Sequence, residues 1–209
     1  MEQARFLARI RAGLGEGERI DAAIPEDWPP AIEGLADRFA EEVTAVDGNF
    51  YRAPRSAAAA ILGGILESRS GQGVLVTRED DLPPGLDAAV AAAGCRLLLW
   101  PEAGRSGAAA AHVGVTSALW AVAETGTVVV SSAPPSGRAP SLLPPVHVTF
   151  VPVARLVATT ADLFRGMPGI GELPSNIVLV TGPSKSADIG MELALGVHGP
   201  GEEHVVLLD

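Results

Sequence analysis

Cysteine, aromatic residues and basic residues are all scarce in this 209-residue chain. Cys95 is the sole cysteine, which excludes an internal disulfide, and a single thiolate cannot hold a structural zinc ion or an iron–sulfur cluster. We therefore expect a reducing, cytoplasmic setting. Lys and Arg number 15 against 25 Asp and Glu, a formal net charge of −10, and no basic cluster interrupts this balance. A nucleic-acid partner is therefore not expected.

Membrane-spanning segments are also missing from the pattern. Two long runs without charge, 106–123 and 139–154, contain glycine and histidine or several prolines, so neither predicts a membrane helix. The first ten residues form a charged amphipathic segment that lacks the apolar core of a signal peptide. We expect a soluble protein.

What the chain does contain is an alternation of short apolar runs with helical segments. Strands are predicted at 74–76, 96–100, 128–130, 146–151, 177–180 and 205–208. Helices are predicted at 56–68, 86–93, 160–164 and from the turn at 181–188 to about residue 195. This order predicts an α/β fold with a mostly parallel sheet covered by helices on both faces. Amphipathic segments on either side of Asp27–Pro30 predict N-terminal helices, and we divide the chain into a helical extension, 1–50, and an α/β domain, 51–209.

Glu124 is the most conspicuous candidate for chemistry, because it stands between an uncharged run and the apolar strand 128–130. A carboxylate so placed is either paired or directed into a cleft. It can accept the N–H groups of the following Thr125–Thr127 turn, act as a general base or nucleophile, or hold a cation such as Arg138. Gly126 removes a side chain where another group can approach the backbone. These alternatives stay open at this point.

A second candidate is the segment from Thr181 to Asp188, which we interpret as a strand, a tight turn and the start of a helix. Such turns bind anions, because free N–H groups and the helix dipole converge. Ser184, Lys185 and Ser186 would add hydroxyls and a positive charge, although the glycine spacing matches no nucleotide motif. The alternative is a capped turn without a ligand. In an open α/β sheet we expect the ligand pocket at the carboxyl ends of the strands, where the strand ending at Val180 would place this turn.

Histidine is sparse and scattered, and no pair has the spacing of a metalloprotease helix. We predict no metal site. His147 is the most interesting histidine, because it lies in an apolar strand and a neutral imidazole there could act as an acid or a base.

Several of these segments together resemble the LUD domain family, the lactate utilization protein C group. The resemblance covers about the last hundred residues and rests on blocks in the same order and spacing. These blocks are Gly114–Thr116, Ala123–Thr127, Gly137–Arg138, Leu142–Pro144 with His147, Gly182–Ile189 and Gly196–Pro200. The fold implied by the resemblance is a Rossmann-like open sheet similar to that of CoA transferases and ribose-5-phosphate isomerase.

The resemblance implies a function in the oxidation of L-lactate to pyruvate, beside separate iron–sulfur partner proteins. This chain would then be a non-redox subunit that binds a small carboxylate or another anion and carries no cofactor of its own. A homo-oligomer is left open. The alternative is a free-standing enzyme of the CoA-transferase or phosphosugar type with Glu124 as nucleophile, which rests on fold analogy alone. Beside Glu124 as the candidate catalytic residue, the anion site would use Thr116, Thr125, Gly126, Arg138, His147, Gly182, Ser184, Lys185, Ser186, Asp188 and His198.

Overall fold

A computed structural model describes residues 2–14, 32–133, 137–167, 174–187 and 193–209 of the chain. Its helices are α1 (Glu2–Leu14), α2 (Leu35–Ala45), α3 (Ala58–Leu66), α4 (Leu86–Ala92), α5 (Gly104–Ala110), α6 (Ala139–Leu142) and α7 (Thr160–Gly166). Its strands are β1 (Asn49–Ala53), β2 (Gly73–Val76), β3 (Arg96–Leu99), β4 (Val113–Ser117), β5 (Trp120–Val122), β6 (Thr127–Ser131), β7 (Val146–Pro152), β8 (Leu156–Val157), β9 (Ile177–Val180), β10 (Lys185–Ala187), β11 (Leu193–Leu195) and β12 (Glu202–Leu208). Among these elements, no helix has the length and apolar content needed to span a membrane.

The main sheet has six parallel strands in the order β1-β12-β7-β4-β2-β3. Its central strands β7 and β12 are seven residues long and almost entirely buried, which explains their nearly continuous apolar sequence. The predicted α/β fold with a mostly parallel sheet is therefore confirmed.

Helices cover both faces of this sheet, as the alternation of strands and helices predicts. On one face, α3 and α4 bury Leu62, Leu66 and Val90 against alternate residues of the strands, including Val148 and Phe150. On the other face, α5 and α6 pack over β2 and β4, and Leu75, Ala108 and Ala111 form a small core there.

A second, smaller sheet also lies on this other face, in the order β8-β5-β6-β9. Its β5–β6 and β6–β9 pairs are antiparallel. Ala121, Val128 and Val151 join the two sheets in one apolar cluster with Phe39 and Val43 of α2. The sequence pattern gave no sign of this second sheet, because β6 and β9 are short apolar runs like those of a parallel sheet.

The helix predicted after Ser184 is wrong where the structure describes it. Residues 185–187 form β10, which pairs antiparallel with β11 at 193–195. The backbone of Ser184 continues this pairing, since its N–H donates to the Pro200 carbonyl and its carbonyl accepts from the Gly196 N–H. Peptide groups held in this way are extended, so no helix dipole begins at this turn.

The N-terminal region contains the predicted helices α1 and α2, while the second helix start proposed at Asp27–Pro30 lies outside the described residues. Phe39 and Val43 of α2 are fully buried, and the edge of the Phe39 ring meets the ring of Phe50 on β1 at a centroid distance of 6.0 Å. The domain boundary placed between residues 50 and 51 stays a prediction.

Candidate functional site

A buried polar network crosses the centre of the main sheet, between the two apolar clusters on the face that carries α5, α6 and the second sheet. It comprises Thr116, His147, Thr149 and Glu203, which are 0 to 3% exposed. The His147 Nδ1 lies 2.9 Å from Glu203 Oε2, and its Nε2 lies 2.9 Å from the Thr116 hydroxyl. The Thr149 hydroxyl donates to the other Glu203 oxygen at 3.1 Å. Every polar side chain of the network therefore has a partner.

Strand register produces this network. Glu203 stands opposite His147 in the β12–β7 pair, and Thr116 stands opposite Thr149 in the β4–β7 pair. Gly114 is opposite His147, and a Cβ there would collide with the Pro140 carbonyl oxygen of α6. This glycine lets α6 lie directly over the network.

The hydrogen-bond order in the network is carboxylate, imidazole, hydroxyl. With Nδ1–H donating to Glu203, Nε2 accepts from the Thr116 hydroxyl, and all three groups are satisfied by a neutral imidazole. Such an order fixes the tautomer and orientation of a histidine. The acid–base role suggested for His147 stays a prediction, as does a ligand contact for Thr116.

Glu124 lies in the turn between β5 and β6, half-buried. Its side-chain Oε2 accepts the backbone N–H of Thr160 at 3.4 Å, and its own N–H donates to the Ala158 carbonyl at 3.0 Å. Thr160 is the first residue of α7, and N–H groups in the first turn of a helix lack a carbonyl partner within the helix. The described contact of Glu124 is therefore with the start of α7 rather than with its own turn, and a carboxylate suits a helix N-terminus. Its catalytic role stays a prediction.

Thr125 and Gly126 complete the same turn. The Thr125 hydroxyl bonds to that of Thr127 at 2.7 Å, which bonds to that of Thr181 at 2.8 Å. Gly126 has φ of 64°, and a Cβ there would lie 2.5 Å from the backbone nitrogen of Val43. The group that approaches this glycine is thus the backbone of α2.

The turn from Gly182 to Ser186 packs against the end of α2. A Cβ on Gly182 would lie 2.5 Å from the Val46 carbonyl oxygen. Lys185 makes an ion pair with Asp47 and donates to the Val46 carbonyl at 3.2 Å. The positive charge of Lys185 is therefore paired with a carboxylate of the chain, and its contact with an anion stays a prediction.

Ser184 contacts a neighbouring loop formed by residues 196–201. Its hydroxyl accepts the His198 N–H at 3.3 Å, in addition to the two backbone bonds described above. Ser186 is half-buried and stands opposite Ala194 in the β10–β11 pair, whereas Asp188 lies outside the described residues. The structure thus brings Ser184 and His198 together as parts of one hairpin.

The expected position of this turn needs a correction. Its strand, β9, is an edge strand of the second sheet and pairs antiparallel with β6, so the turn does not lie at the carboxyl edge of the parallel sheet. At that edge Glu79 instead accepts from the Ser117 N–H at 2.7 Å and from the Thr77 hydroxyl at 2.5 Å. The sequence could not show this, because β9 has the same apolar run as a parallel strand.

Two cavities flank α6 and share Leu142 and Leu143 as a wall. The first, of 570 Å³, contains His198 and is otherwise lined by Pro145, Leu195, Gly196, Val197, Gly199 and Gly201. The second, of 560 Å³, contains Arg138 and is otherwise lined by Trp100, Arg105, Ala109 and Ala139. His198 and Arg138, predicted to share one site, therefore line different cavities in the part of the chain that the structure describes.

The second cavity combines two cations with an apolar wall. Arg105 lies on α5 and Arg138 immediately precedes α6, so the two guanidinium groups come from separate elements. No acidic side chain is among the described residues that line it. A Cβ on Gly137 would collide with the Trp100 indole nitrogen, so this glycine lets the chain pass directly over the ring. Arg105 and Trp100 carried no motif that the sequence reading could use.

A second polar cluster lies on the opposite face of the main sheet, at the start of β12. His204 donates to Glu202 at 2.6 Å and accepts from the Tyr51 hydroxyl at 3.1 Å, and Arg69 bonds the same Glu202 oxygen at 2.6 Å. Burial lowers the pKa of His204 below its ordinary value, against the opposing effect of Glu202. Burial alone would raise the pKa of Glu202, but the bonds from His204 and Arg69 lower it overall.

The structure places the candidate site residues in several separate groups. Described contacts join Thr116 to His147, Ser184 to His198, and Thr125 to Gly126 through their shared turn beside Glu124. Thr149 and Glu203 were missed, although the alternation of His147 and Thr149 along one strand face was a usable signal. Among the described residues, no group of three or more His, Cys, Asp or Glu side chains is arranged to hold a metal ion.

Comparison with known proteins identifies a family whose model matches this chain and several relatives of similar sequence. The family model described as LUD domain matches residues 36–208. Lactate utilization protein C of Shouchella clausii is 42% identical over 102 residues, which are 47% of this chain and 44% of that protein. Its counterpart in Bacillus subtilis is 41% identical over 102 residues, 47% of this chain and 42% of that protein. The matched segment thus spans less than half the length of these relatives.

One solved structure has a similar fold. A crystal structure of a DUF162 family protein from Deinococcus radiodurans matches 87% of this chain and 100% of that chain, with a TM-score of 0.63. The two sequences are 18% identical, so this likeness bears on the fold alone.

Proposed function

The chain belongs to the LUD domain family, and from this premise we propose that it acts in lactate utilization as a non-redox component beside iron–sulfur partner proteins. The observation that carries the proposal is its identity of about 40% with lactate utilization proteins C over roughly half of its length.

Oxidation of lactate to pyruvate releases two electrons, which a partner must accept. Cys95 is the only thiol in these 209 residues, so the chain has too few thiolates to ligate an iron–sulfur cluster. Its Sγ lies 3.2 Å from the Arg69 carbonyl oxygen and is half-buried among apolar neighbours. In the proposed assembly the cluster ligands would therefore belong to the partner proteins.

The proposed component also binds the carboxylate of lactate or of a similar acid. Arg105 and Arg138 support this, because a guanidinium group matches the geometry of a carboxylate with two parallel hydrogen bonds. Both arginines line one cavity, without an acidic neighbour in its described lining, in a chain with an excess of negative charge. We place the anion between them.

Purified protein tests these two parts separately. Alone, the chain should not reduce a dye acceptor with L-lactate, and it should co-purify with iron–sulfur proteins when isolated with an affinity tag from cells grown on lactate. Dye reduction by the purified chain would contradict the non-redox role. Recovery of the chain without iron–sulfur partners under these conditions would contradict the proposed assembly.

Calorimetry with L-lactate tests the anion site. We expect binding that is weakened about tenfold by Arg138→Gln, since a hydrogen bond to a charged group contributes about 1.5–3 kcal/mol. Arg96→Gln is the matched control, because it removes the same charge from an exposed position at the start of β3. Equal binding by both variants would place the anion elsewhere.

A further inference from the structure

We propose that two copies of this chain associate by antiparallel pairing of their β9 strands, so that the second sheet continues from one copy into the other. β9 (Ile177–Val180) is an edge strand of that sheet and pairs on one side with β6. An edge strand presents a row of N–H and C=O groups to which another strand can bond. The surface shares no residue with the arginine cavity proposed for lactate.

The peptide groups of Ile177 and Leu179 point away from β6. Val129 stands opposite Leu179, and the Val129 carbonyl accepts the N–H of Leu119, which directly precedes β5. Hydrogen-bonded and non-hydrogen-bonded pairs alternate along an antiparallel ladder. The N–H and C=O groups of Leu179, and those of Ile177 two residues earlier, are therefore directed to the outer edge. No described residue forms a hydrogen bond with them.

The other edge strands of the two larger sheets carry features that discourage pairing with another chain. β1 contains Arg52, which makes an ion pair with Asp209, and β3 begins with the exposed Arg96. β8 is only two residues long and directly follows Arg155. β9 has neither a charged residue nor a proline, and its Leu179 is 42% exposed. Because charges, prolines and short edges are the means by which natural sheets avoid edge association, β9 is the described edge that stays open to it.

A second copy fits this edge because the strand is complementary to itself. A two-fold axis through Val178 places Ile177 of one copy opposite Leu179 of the other, and both residues direct their peptide groups to the shared edge. Each of these two pairs then exchanges two hydrogen bonds. The side chains of Ile177 and Leu179 lie on the same face of the strand, so the exposed Leu179 of each copy also packs beside Ile177 of the other.

The distribution of charge favours the same surface. Each copy has a net charge of −10, so two copies repel each other wherever their acidic surfaces meet. The run from Pro174 to Pro183 contains no charged residue, and β9 can therefore meet its own copy without contact between like charges. One short strand from each copy is a small contact beside stable interfaces, which bury about 1,200–2,000 Å². We therefore expect a reversible dimer with a dissociation constant on the order of micromolar.

Sedimentation equilibrium of the full chain, between about 1 and 100 μM, tests the association. We expect the average mass to rise with concentration toward twice that of one chain. Leu179→Pro should abolish this rise, because the N–H that it removes faces the outer edge while the bonds to β6 remain. Leu179→Lys should weaken the dimer about tenfold, because it replaces an apolar contact by a charge on both sides of the axis. The control Val153→Lys adds the same charge to an exposed residue directly after β7 and should leave the dimer unchanged. Urea midpoints close to that of the unaltered chain show that each variant is folded.

Disulfide cross-linking tests the register of the two strands. In a chain that carries Cys95→Ser, Val178→Cys should form an intermolecular disulfide on mild oxidation, because the axis places the two copies of this residue opposite each other. Leu179→Cys in the same background is the matched control and should cross-link about tenfold more slowly, because its two copies are offset along the strands. A chain that stays monomeric at about 100 μM would overturn the inference. A dimer that neither Leu179→Pro nor Leu179→Lys weakens, or equal cross-linking of the two cysteine variants, would do the same.

Discussion

Replacing Glu203 should destabilise the protein more than any exposed carboxylate does. Glu203 is 2% exposed, and its two oxygens accept from His147 Nδ1 and from the Thr149 hydroxyl. Glu203→Ala removes both acceptors: His147 Nδ1 loses its carboxylate partner, and the Thr149 hydroxyl keeps only its contacts of 3.2 and 3.3 Å with the imidazole nitrogens. Each weakened buried hydrogen bond costs about 1–3 kcal/mol. The cavity left by the lost atoms adds to this. We expect a loss of roughly 3–5 kcal/mol in the free energy of unfolding, in line with the removal of one partner from a buried pair.

Glu203→Gln is the sharper variant, because it keeps the shape and loses one acceptor. The glutamine NH₂ then stands where a carboxylate oxygen accepted, so one donor of the network faces another donor and the loss should be about 1–3 kcal/mol. For a chain of this length each kcal/mol lowers Tm by about 2–4 °C. Glutamine therefore gives a graded result even if Glu203→Ala approaches the total stability of a typical domain, about 5–15 kcal/mol.

Urea denaturation followed by circular dichroism measures these differences. The control is Glu67→Ala, since Glu67 is an exposed carboxylate after α3, and its free energy of unfolding should change by less than about 0.5 kcal/mol. If Glu203→Gln unfolds at the same urea concentration as the Glu67 variant, the buried network does not stabilise the fold and our reasoning about it is wrong.

Three further predictions concern other sites. Gly126→Ala should lower the free energy of unfolding by roughly 2–4 kcal/mol, because the positive φ of this residue and the backbone of Val43 both oppose a Cβ. In the same urea assay Gly63→Ala is the control: it lies in α3 with open space around it and should be neutral or stabilising. Burial lowers the pKa of His204, so the contribution of this residue to stability is complete above about pH 6.5 and declines as the pH falls through that value toward the folded pKa. In urea titrations, His204→Gln should flatten this decline of the free energy of unfolding with falling pH. An unchanged dependence on pH would contradict the prediction. Finally, the untested nucleophile hypothesis for Glu124 predicts a hydroxylamine-sensitive adduct with short acyl-CoA that Glu124→Gln abolishes. Because Glu124 Oε2 accepts the Thr160 N–H, we expect no adduct, and an adduct would contradict a purely structural role.

Much of the main sheet could be predicted because its strands are buried on both faces. β2, β7 and β12 appear as short apolar runs for this reason, and the helices between them carry the usual stripe of Ala, Ile and Leu. The second sheet could not be predicted, since a run such as Ile177–Val180 does not reveal whether its neighbour is parallel.

The prediction of a helix after Ser184 was wrong for a related reason. A serine before Asp188 resembles a helix cap, but the backbone partners of Ser184 are Pro200 and Gly196, which are distant in sequence. Contacts of this kind override local preference and cannot be seen from local spacing.

For the candidate site residues too, features set by local sequence could be predicted, whereas features that depend on packing could not. The close approach at Gly126 was predicted from the glycine alone, but the identity of the approaching group depends on how α2 packs. His147 was singled out because it lies in an apolar strand, where a neutral imidazole could act as an acid or a base. Its main partner, Glu203, is 56 residues away and is selected by the register of β12 beside β7. Arg138 was singled out as a lone cation, while Trp100 and Arg105 join it only through the packing of α5 and α6.

Growth on L-lactate as the sole carbon source tests the central claim most directly. A strain lacking this gene should fail to grow on L-lactate yet grow normally on pyruvate, since pyruvate lies beyond the proposed step. The intact gene and its Arg96→Gln variant should both restore growth, whereas the variant with Arg105→Gln and Arg138→Gln should not. Normal growth of the deletion strain on L-lactate would contradict a function in lactate utilization.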